Sequence, residues 1–549
     1  MSKTALLSVY DKTGLAEFAR ALVELGFDLV SSGGTSKALA AAGIPHRQVQ
    51  EVTGFPEMMD GRVKTLHPMI LGGILANRAV PGHMDDLVTH QIGAIDLVVC
   101  NLYPFTVTVA SGADWDTCIE NIDVGGPTMV RAAAKNHAAV GVVVDPADYP
   151  RVVTELRNHG GLLKETCLDL AKKAFAHTAA YDTDIAEWIS DGGFRGMLVK
   201  LAQKCSYGEN AWQTPAGVYS TGRTDPLGFS QFDLIEGAPA SYNNWVEVAD
   251  RQPQTLTHIA AGFERNFGGP PFIAIGTKHG NCCGAAVGDN PAEVIRKMLA
   301  GNLKSIHGGL VMTNFAIDSE LAEIIRSWNI GNMKRRILDV ISAPDFTDEA
   351  ISILKRKDGK CRFFVNPNLV DVGEAMLDEA PRLRYIRGGF LREPNYTYVL
   401  DFNHPEFSWP FGEPELEVRE SAVLAWAVGS TSNSNTMTLV RGGQLLGNGV
   451  GQQDRVGAAQ LALKIAADAG HGFDESGRFL DWYKSPRVVA YSDSFMPFRD
   501  AAETLLAAGV WAVIATNGSI NDQEVEDVFA TTGCLGWLPD SAGRGFFNH

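Results

Sequence analysis

The chain has 549 residues, 45% of them hydrophobic and 20% charged, with a formal net charge of −17. That length exceeds one ordinary core and predicts two to four domains, and the acidic balance argues against a nucleic-acid surface. The start MSKTALLSVYDKTG has no apolar signal core, no run of 18 apolar residues follows, and most of the eight cysteines are scattered singly, so a soluble cytoplasmic protein without a membrane partner is expected.

The first 140 residues alternate strand-like and helix-like segments. TALLSVY reads as a short apolar strand. TGLAEFARALVELG reads as an amphipathic helix, with Leu15, Phe18, Ala19, Leu22 and Leu25 on one side and Gly26 to end it. FDLVSS is a second strand, and Gly33, Gly34 and Thr35 lead into the helix SKALAAAG. IDLVVCNLYPF and VGVVV are further buried strands. This alternation predicts a parallel α/β domain. A long helical stretch, KETCLDLAKKAFAHTAAYDTDIAEWIS, reads as a linker that closes a first domain at 1–198.

The second region, 199–549, is larger and again α/β. PFIAIG, RRILDVISA, NTMTLVRGGQLLGNG, RVVAYSDS and VWAVIAT read as strands, and DRVGAAQLALKIAADAG and FRDAAETLLAAG as helices, which suggests two similar subdomains. IRGGFLREPNYTYVLDFNHPEF reads as an irregular surface insertion.

Polar clusters fall at strand-to-helix junctions. SSGGT at 31–35 offers glycines and free helix N–H groups to an anion. GRVKTLHP adds Arg62, Lys64 and Thr65; CNLYPF places Asn101 and Tyr103 at a strand end. IDVGGPTMVRAAAKNHA adds Asp123, a Gly-Gly turn, and Arg131 and Lys135 at i,i+4. Each cluster alone is weak. Together they point to a phosphate-bearing ligand at one end of the sheet.

In TKHGNCCGAA, Lys278 sets a fixed cation beside the imidazole of His279 at a strand end. A zinc deaminase would need His-x-Glu followed by Cys-x-x-Cys. Asn281 stands two residues after His279, and Cys282 and Cys283 are adjacent, so strand geometry sends them to opposite faces. No metal site is expected.

LLSVYDKTGL, SSGGTSKAL, TGFPEMMDGRVKTLHP, CNLYPF and RAAAKNHA, in that order, resemble the cyclohydrolase half of the AICAR formyltransferase/IMP cyclohydrolase family. SYGEN, KHGNCCG, GNGVGQQDR, SDSFMPFRD and NGSIND resemble blocks of its transformylase half, which is more divergent. The resemblance covers nearly the whole chain. It implies a methylglyoxal-synthase-like N-terminal domain, then two cytidine-deaminase-like subdomains without zinc. It implies formyl transfer from 10-formyltetrahydrofolate to AICAR, dehydrative closure of formyl-AICAR to IMP, a homodimer, and in some members a bound monovalent cation.

Residue by residue, the resemblance makes His279 the base that relieves the AICAR amine of its proton. It makes Lys278 the partner of the formyl oxygen, and Asn435 a residue that hydrogen-bonds near the transferring group. Tyr207, Gly308, Asp339, Arg455, Phe495, Asp500, Ser519 and Arg544 fall on AICAR- or folate-binding positions. For ring closure, Lys135 shuttles protons, Tyr103 and Lys64 stabilise the oxyanion, and Asp123 orients the amide. Lys12, Ser32, Gly33, Gly34 and Thr35 cradle the phosphate, with Arg62, Thr65, Asn101 and Gly125 around the nucleotide.

The chain departs from the family pattern at Tyr10, Ser206, Trp212, His307 and Asn433. Ser206 replaces an arginine that contacts the nucleotide, a loss of a strong anion contact. Four of these departures lie in the second half. They leave an alternative: a cyclohydrolase whose C-terminal half uses another donor or serves binding and dimerisation.

Overall fold

The computed structural model describes residues 3–481, 483–531, 533–539 and 543–545. They form two compact units, Met1–Lys200 and Leu201–His549.

The first unit is built on a parallel five-stranded sheet. Its strands are β1 (Lys3–Val9), β2 (Phe27–Ser31), β3 (Arg47–Gln48), β4 (Leu97–Asn101) and β5 (Gly141–Val143), in the order β3-β2-β1-β4-β5. The chain moves outward from β1 to one side and then crosses to the other. That reversal opens a crevice at the carboxyl ends of β1 and β4, where such sheets bind ligands. Helix Leu15–Glu24 buries Leu15, Phe18, Ala19, Ala21 and Leu22, the apolar stripe its sequence predicts. The two-residue β3 had no sequence signal.

Helix Lys164–Ile189 is more than a linker. Leu170, Ala171, Ala174 and Tyr181 enter the same apolar core as the sheet. The Tyr181 hydroxyl accepts a hydrogen bond from the Asp123 N–H at 2.8 Å, so this helix also fixes a residue at the crevice.

The second unit carries an eleven-stranded mixed sheet. One half contains the antiparallel hairpin Phe272–Lys278/Asn281–Gly288, followed by Gly309–Thr313, Leu338–Ala343 and Arg362–Val365 in parallel. The other contains the hairpin Met437–Arg441/Gln444–Gly449, followed by Val489–Ser492, Ala512–Thr516 and Cys534–Leu538 in parallel. Each half orders its strands 2-1-3-4-5, and the halves join where Ala286 pairs with Gln444. The segment NTMTLVRGGQLLGNG, read as one strand, is therefore two, turned at Gly442 and Gly443. Both glycines have positive φ.

Helices Gln252–Phe267 and Leu416–Ser430 pack together on one face of this sheet. They approach so closely that a Cβ on Gly262 would stand 2.6 Å from Val423 Cγ1. Trp426 at their contact is fully buried. The expected irregular insertion is instead regular at its start: Arg382–Ile386 pairs antiparallel with Gly389–Glu393. Val399 and Leu400 then turn into the core. No described helix is long and apolar enough to cross a membrane.

Candidate functional site

In the first unit the crevice gathers cations around a helix start. Ser32 caps helix Gly33–Ala41 in an extended conformation, and Gly33 has φ 55. A Cβ on Gly33 would lie 2.8 Å from Lys64 Nζ, and one on Gly34 would lie 3.9 Å from Lys12 Nζ. Two ammonium groups and unsatisfied helix N–H groups thus face one space, an arrangement suited to a phosphate. The Ser32 hydroxyl is buried there without a hydrogen-bond partner. A small cleft continues from Ser32, Gly33 and Lys64 to Phe55 and His67.

Asp123 closes the other side. Its Oδ1 accepts the Gly126 N–H at 2.8 Å. Burial pushes its carboxyl above the usual carboxylate range, opposed by the N–H groups of Gly126 and Tyr103 and by the charge of Lys64. Lys64 therefore lies against the helix start and also acts on the carboxylate. Burial also raises the Tyr103 phenol, with Asp123 adding to it. Tyr10 meets the Tyr103 ring edge-on at 5.7 Å.

Other expected residues have structural duties. The Thr35 hydroxyl is held by the N–H and carbonyl of Val9, at 2.9 and 3.0 Å. The Asn101 amide pins the Tyr10–Asp11 backbone. Thr65 is buried, and a Cβ on Gly125 would lie 2.8 Å from its hydroxyl. Arg62 pairs with Glu120. Lys135 is exposed in the last turn of its helix. Helix Gly125–Lys135 runs back along the sheet, so Lys135 ends about 15 Å down its axis, toward the entry of β5.

In the second unit Lys278 ends its strand and His279–Gly280 forms the hairpin turn, with φ 54 and 76. Lys278 Nζ donates to the His307 carbonyl at 3.0 Å, beside Gly308. Asn281 Nδ2 donates to the His279 carbonyl at 3.1 Å, and its Oδ1 accepts the Asn433 N–H at 2.9 Å. Asn435 follows a cis Ser434–Asn435 peptide. Its Oδ1 accepts from Arg455 Nη1 at 2.7 Å, and Arg455 Nη2 reaches Asp493 Oδ1 at 3.1 Å. Arg544 lies over the Phe495 ring at 5.1 Å. Lys278, His279, Asn435 and Arg455 are thus joined through Asn281 and the Asn433 backbone.

The remaining expected residues lie at its margins. Gly308 donates to the Ile337 carbonyl, just before Asp339, whose carboxylate pairs with Arg356 at 2.9 Å. Asn521 bridges the Ser519 hydroxyl to the Pro497 carbonyl. Asp500 begins helix Asp500–Ala507. The Tyr207 carbonyl accepts the Tyr242 N–H. Cys282 is buried, and Cys283 donates to the Gly276 carbonyl. Among the described residues, no three His, Cys, Asp or Glu side chains gather as metal ligands.

The departures look different in this setting. Lys278 uses the carbonyl of His307, and Asn281 uses the N–H of Asn433, groups that any of these side chains would leave in place. Trp212 is 79% exposed. Sequence reasoning missed Asn281 and Asp493. Asp493, at the end of the apolar run VVAYS, carried the one local signal: a charge closing a buried strand.

Two family profiles match the chain: the AICARFT/IMPCHase bienzyme over residues 133–465 and the MGS-like domain over residues 14–128. The chain is 40% identical over 548 residues to the bifunctional purine biosynthesis protein PurH of Desulfitobacterium hafniense (strain DSM 10664 / DCB-2), covering 96% of each chain. It is 38% identical over 529 residues to the protein of that name from Listeria monocytogenes serotype 4b (strain F2365), covering 95% of this chain and 96% of the relative. A solved structure described as the crystal structure of ForH aligns at 36% identity and TM-score 0.31, over 34% of this chain and 98% of that one.

Proposed function

The chain belongs to the AICARFT/IMPCHase bienzyme family, and from that premise we propose how its residues divide two reactions. It is a bifunctional enzyme of purine biosynthesis that formylates AICAR and closes the product to IMP. The proposed formyl donor is 10-formyltetrahydrofolate.

Formyl transfer is assigned to the His279 hairpin. The AICAR amine nitrogen attacks the formyl carbon, and His279 takes the amine proton. Lys278, held on the His307 carbonyl, faces the oxygen that gains charge. The bond from the formyl carbon to the folate nitrogen then breaks, and that nitrogen takes the proton from His279. Asn435, fixed by Arg455, orients the transferring group.

Ring closure is assigned to the crevice of the first unit. Lys12, Lys64 and the N–H groups at Gly33–Gly34 hold the phosphate. The carboxamide nitrogen attacks the formamide carbon, and the formyl oxygen takes one proton from each of the two nitrogens and leaves as water. Tyr103 and Lys64 stabilise the oxygen, and Asp123 orients the amide. Lys64 supports this reading best, because its ammonium sits against Gly33 while its charge acts on Asp123.

The monovalent cation of some family members would sit near Asp493. Ser430 Oγ and the Tyr491 hydroxyl are buried without ordinary hydrogen bonds, both next to Gly545, whose N–H meets the Asp493 carbonyl. These residues would hold the ion, which would supply fixed positive charge near Asp493. A homodimer is proposed through the hairpin Arg382–Glu393, where Tyr385 is 80% exposed and Phe390 and Leu391 lie open beside it. Sedimentation velocity with Tyr385→Asp reads this, and an unchanged sedimentation coefficient would count against it.

The deciding experiment supplies AICAR and 10-formyltetrahydrofolate to wild type and His279→Ala. Tetrahydrofolate and IMP are followed separately. Wild type should make both. The variant should make neither, yet still cyclise supplied formyl-AICAR. A wild type that only cyclises would refute the transfer assignment.

A further inference from the structure

The turn that carries His279 is anchored from below by a buried acid. Glu247 opens a wide helical turn, Glu247–Arg251, between helices Tyr242–Val246 and Gln252–Phe267. Such π turns inside helices recur at functional sites. Glu247 is 5% exposed. Its Oε1 accepts the Gly280 N–H at 2.6 Å, and its Oε2 is buried without a hydrogen bond of ordinary geometry. A buried carboxylate is costly unless donors and charge nearby offset it.

The turn needs such an anchor. A two-residue hairpin loop with both residues at positive φ favours Asn-Gly or Asp-Gly; histidine is a poorer first residue. The Glu247–Gly280 bond and the Asn281–His279 bond hold it from two sides. Arg251 also packs here, since a Cβ on Gly280 would lie 3.4 Å from its Nε.

We infer that Glu247 is the positioning residue of formyl transfer, fixing the His279 turn and supplying negative charge that steadies the protonated imidazole. This rests on the reading that His279 takes the amine proton. Glu247 itself takes no proton. The groups facing it are His279 and Thr277 from the hairpin, Arg251 from its own turn, the buried thiol of Cys282 and the half-buried thiol of Cys283. Arg251 is in turn met by Asp250 and Arg382. Burial pushes the Glu247 carboxyl up, opposed by the Gly280 N–H, the Thr277 hydroxyl, Arg251 and His279.

The test follows formyl transfer against pH in the full chain, for wild type, Glu247→Gln, Glu247→Asp and His279→Ala. Cyclisation of supplied formyl-AICAR and thermal unfolding are recorded on the same samples. Glu247→Gln keeps an acceptor for Gly280 but removes the charge. It should lower kcat roughly tenfold and move the acidic limb of kcat to lower pH, with the KM for AICAR and cyclisation unchanged. Glu247→Asp keeps the charge one methylene further back and should move the limb less, in the same direction. Should Glu247→Gln fail to fold, Glu247→Asp decides alone. A kcat lost without movement of the limb in the variants that fold, or a wild-type kcat and limb in them, overturns the inference. Wild-type formyl transfer by His279→Ala would instead overturn the reading of His279 itself.

Discussion

The Lys64 ammonium occupies the space beside Gly33, 2.8 Å from where a Cβ on that glycine would stand. Gly33 also has φ 55, a left-handed conformation that costs other residues about 1 kcal/mol. Gly33→Ala should therefore displace Lys64 from the helix start more than it unfolds the unit. The expected result is a roughly tenfold higher KM for formyl-AICAR in cyclisation. Formyl transfer should be unaffected. Steady-state assays of the two half-reactions check this, and an unchanged KM would remove the phosphate from this cradle.

Asp123 sets a pH dependence of known sign. An ordinary aspartate titrates near ~3.9, and burial holds Asp123 above that. As pH falls through its raised value, the carboxylate takes a proton and its attraction for Lys64 is lost, leaving Glu57 at 3.8 Å as the carboxylate paired with that ammonium. Ring closure should then lose rate on an acidic limb that begins at higher pH than an ordinary aspartate would give. Asp123→Asn should be slower by roughly tenfold or more and should lack that limb. A pH-rate profile in which the variant keeps the limb would assign it to another group.

Arg455 and Asp493 form an ion pair in which the carboxylate is fully buried and the arginine side chain is 14% exposed. The Thr436 N–H completes the carboxylate at 2.9 Å. Removing one partner of such a buried pair costs about 3 kcal/mol. Arg455→Ala should lower the unfolding free energy of the second unit by that amount, read from a denaturant titration. It should also abolish formyl transfer by releasing Asn435, while cyclisation in the first unit persists. A variant of wild-type stability would show that Asp493 finds another partner.

The sequence already carried the α/β class, the first helix with its buried stripe, and the identity of most groups that meet in the two sites. Those features are local. A 3.6-residue apolar period, a glycine pair before a helix, and a cation beside an imidazole can be read from neighbours in the chain. The tertiary structure decided which of these groups meet. It turned the long helix 164–189 from a linker into the support of Asp123, and it carried Lys135 to the far end of its helix. It gave the contacts at His307 and Asn433 to the backbone, so those departures leave the contacts in place. It also brought Glu247 under Gly280 and Asp493 against Arg455, partners 33 and 38 residues away in sequence. A buried carboxylate is paired by whatever the fold packs against it, and no local pattern records that partner.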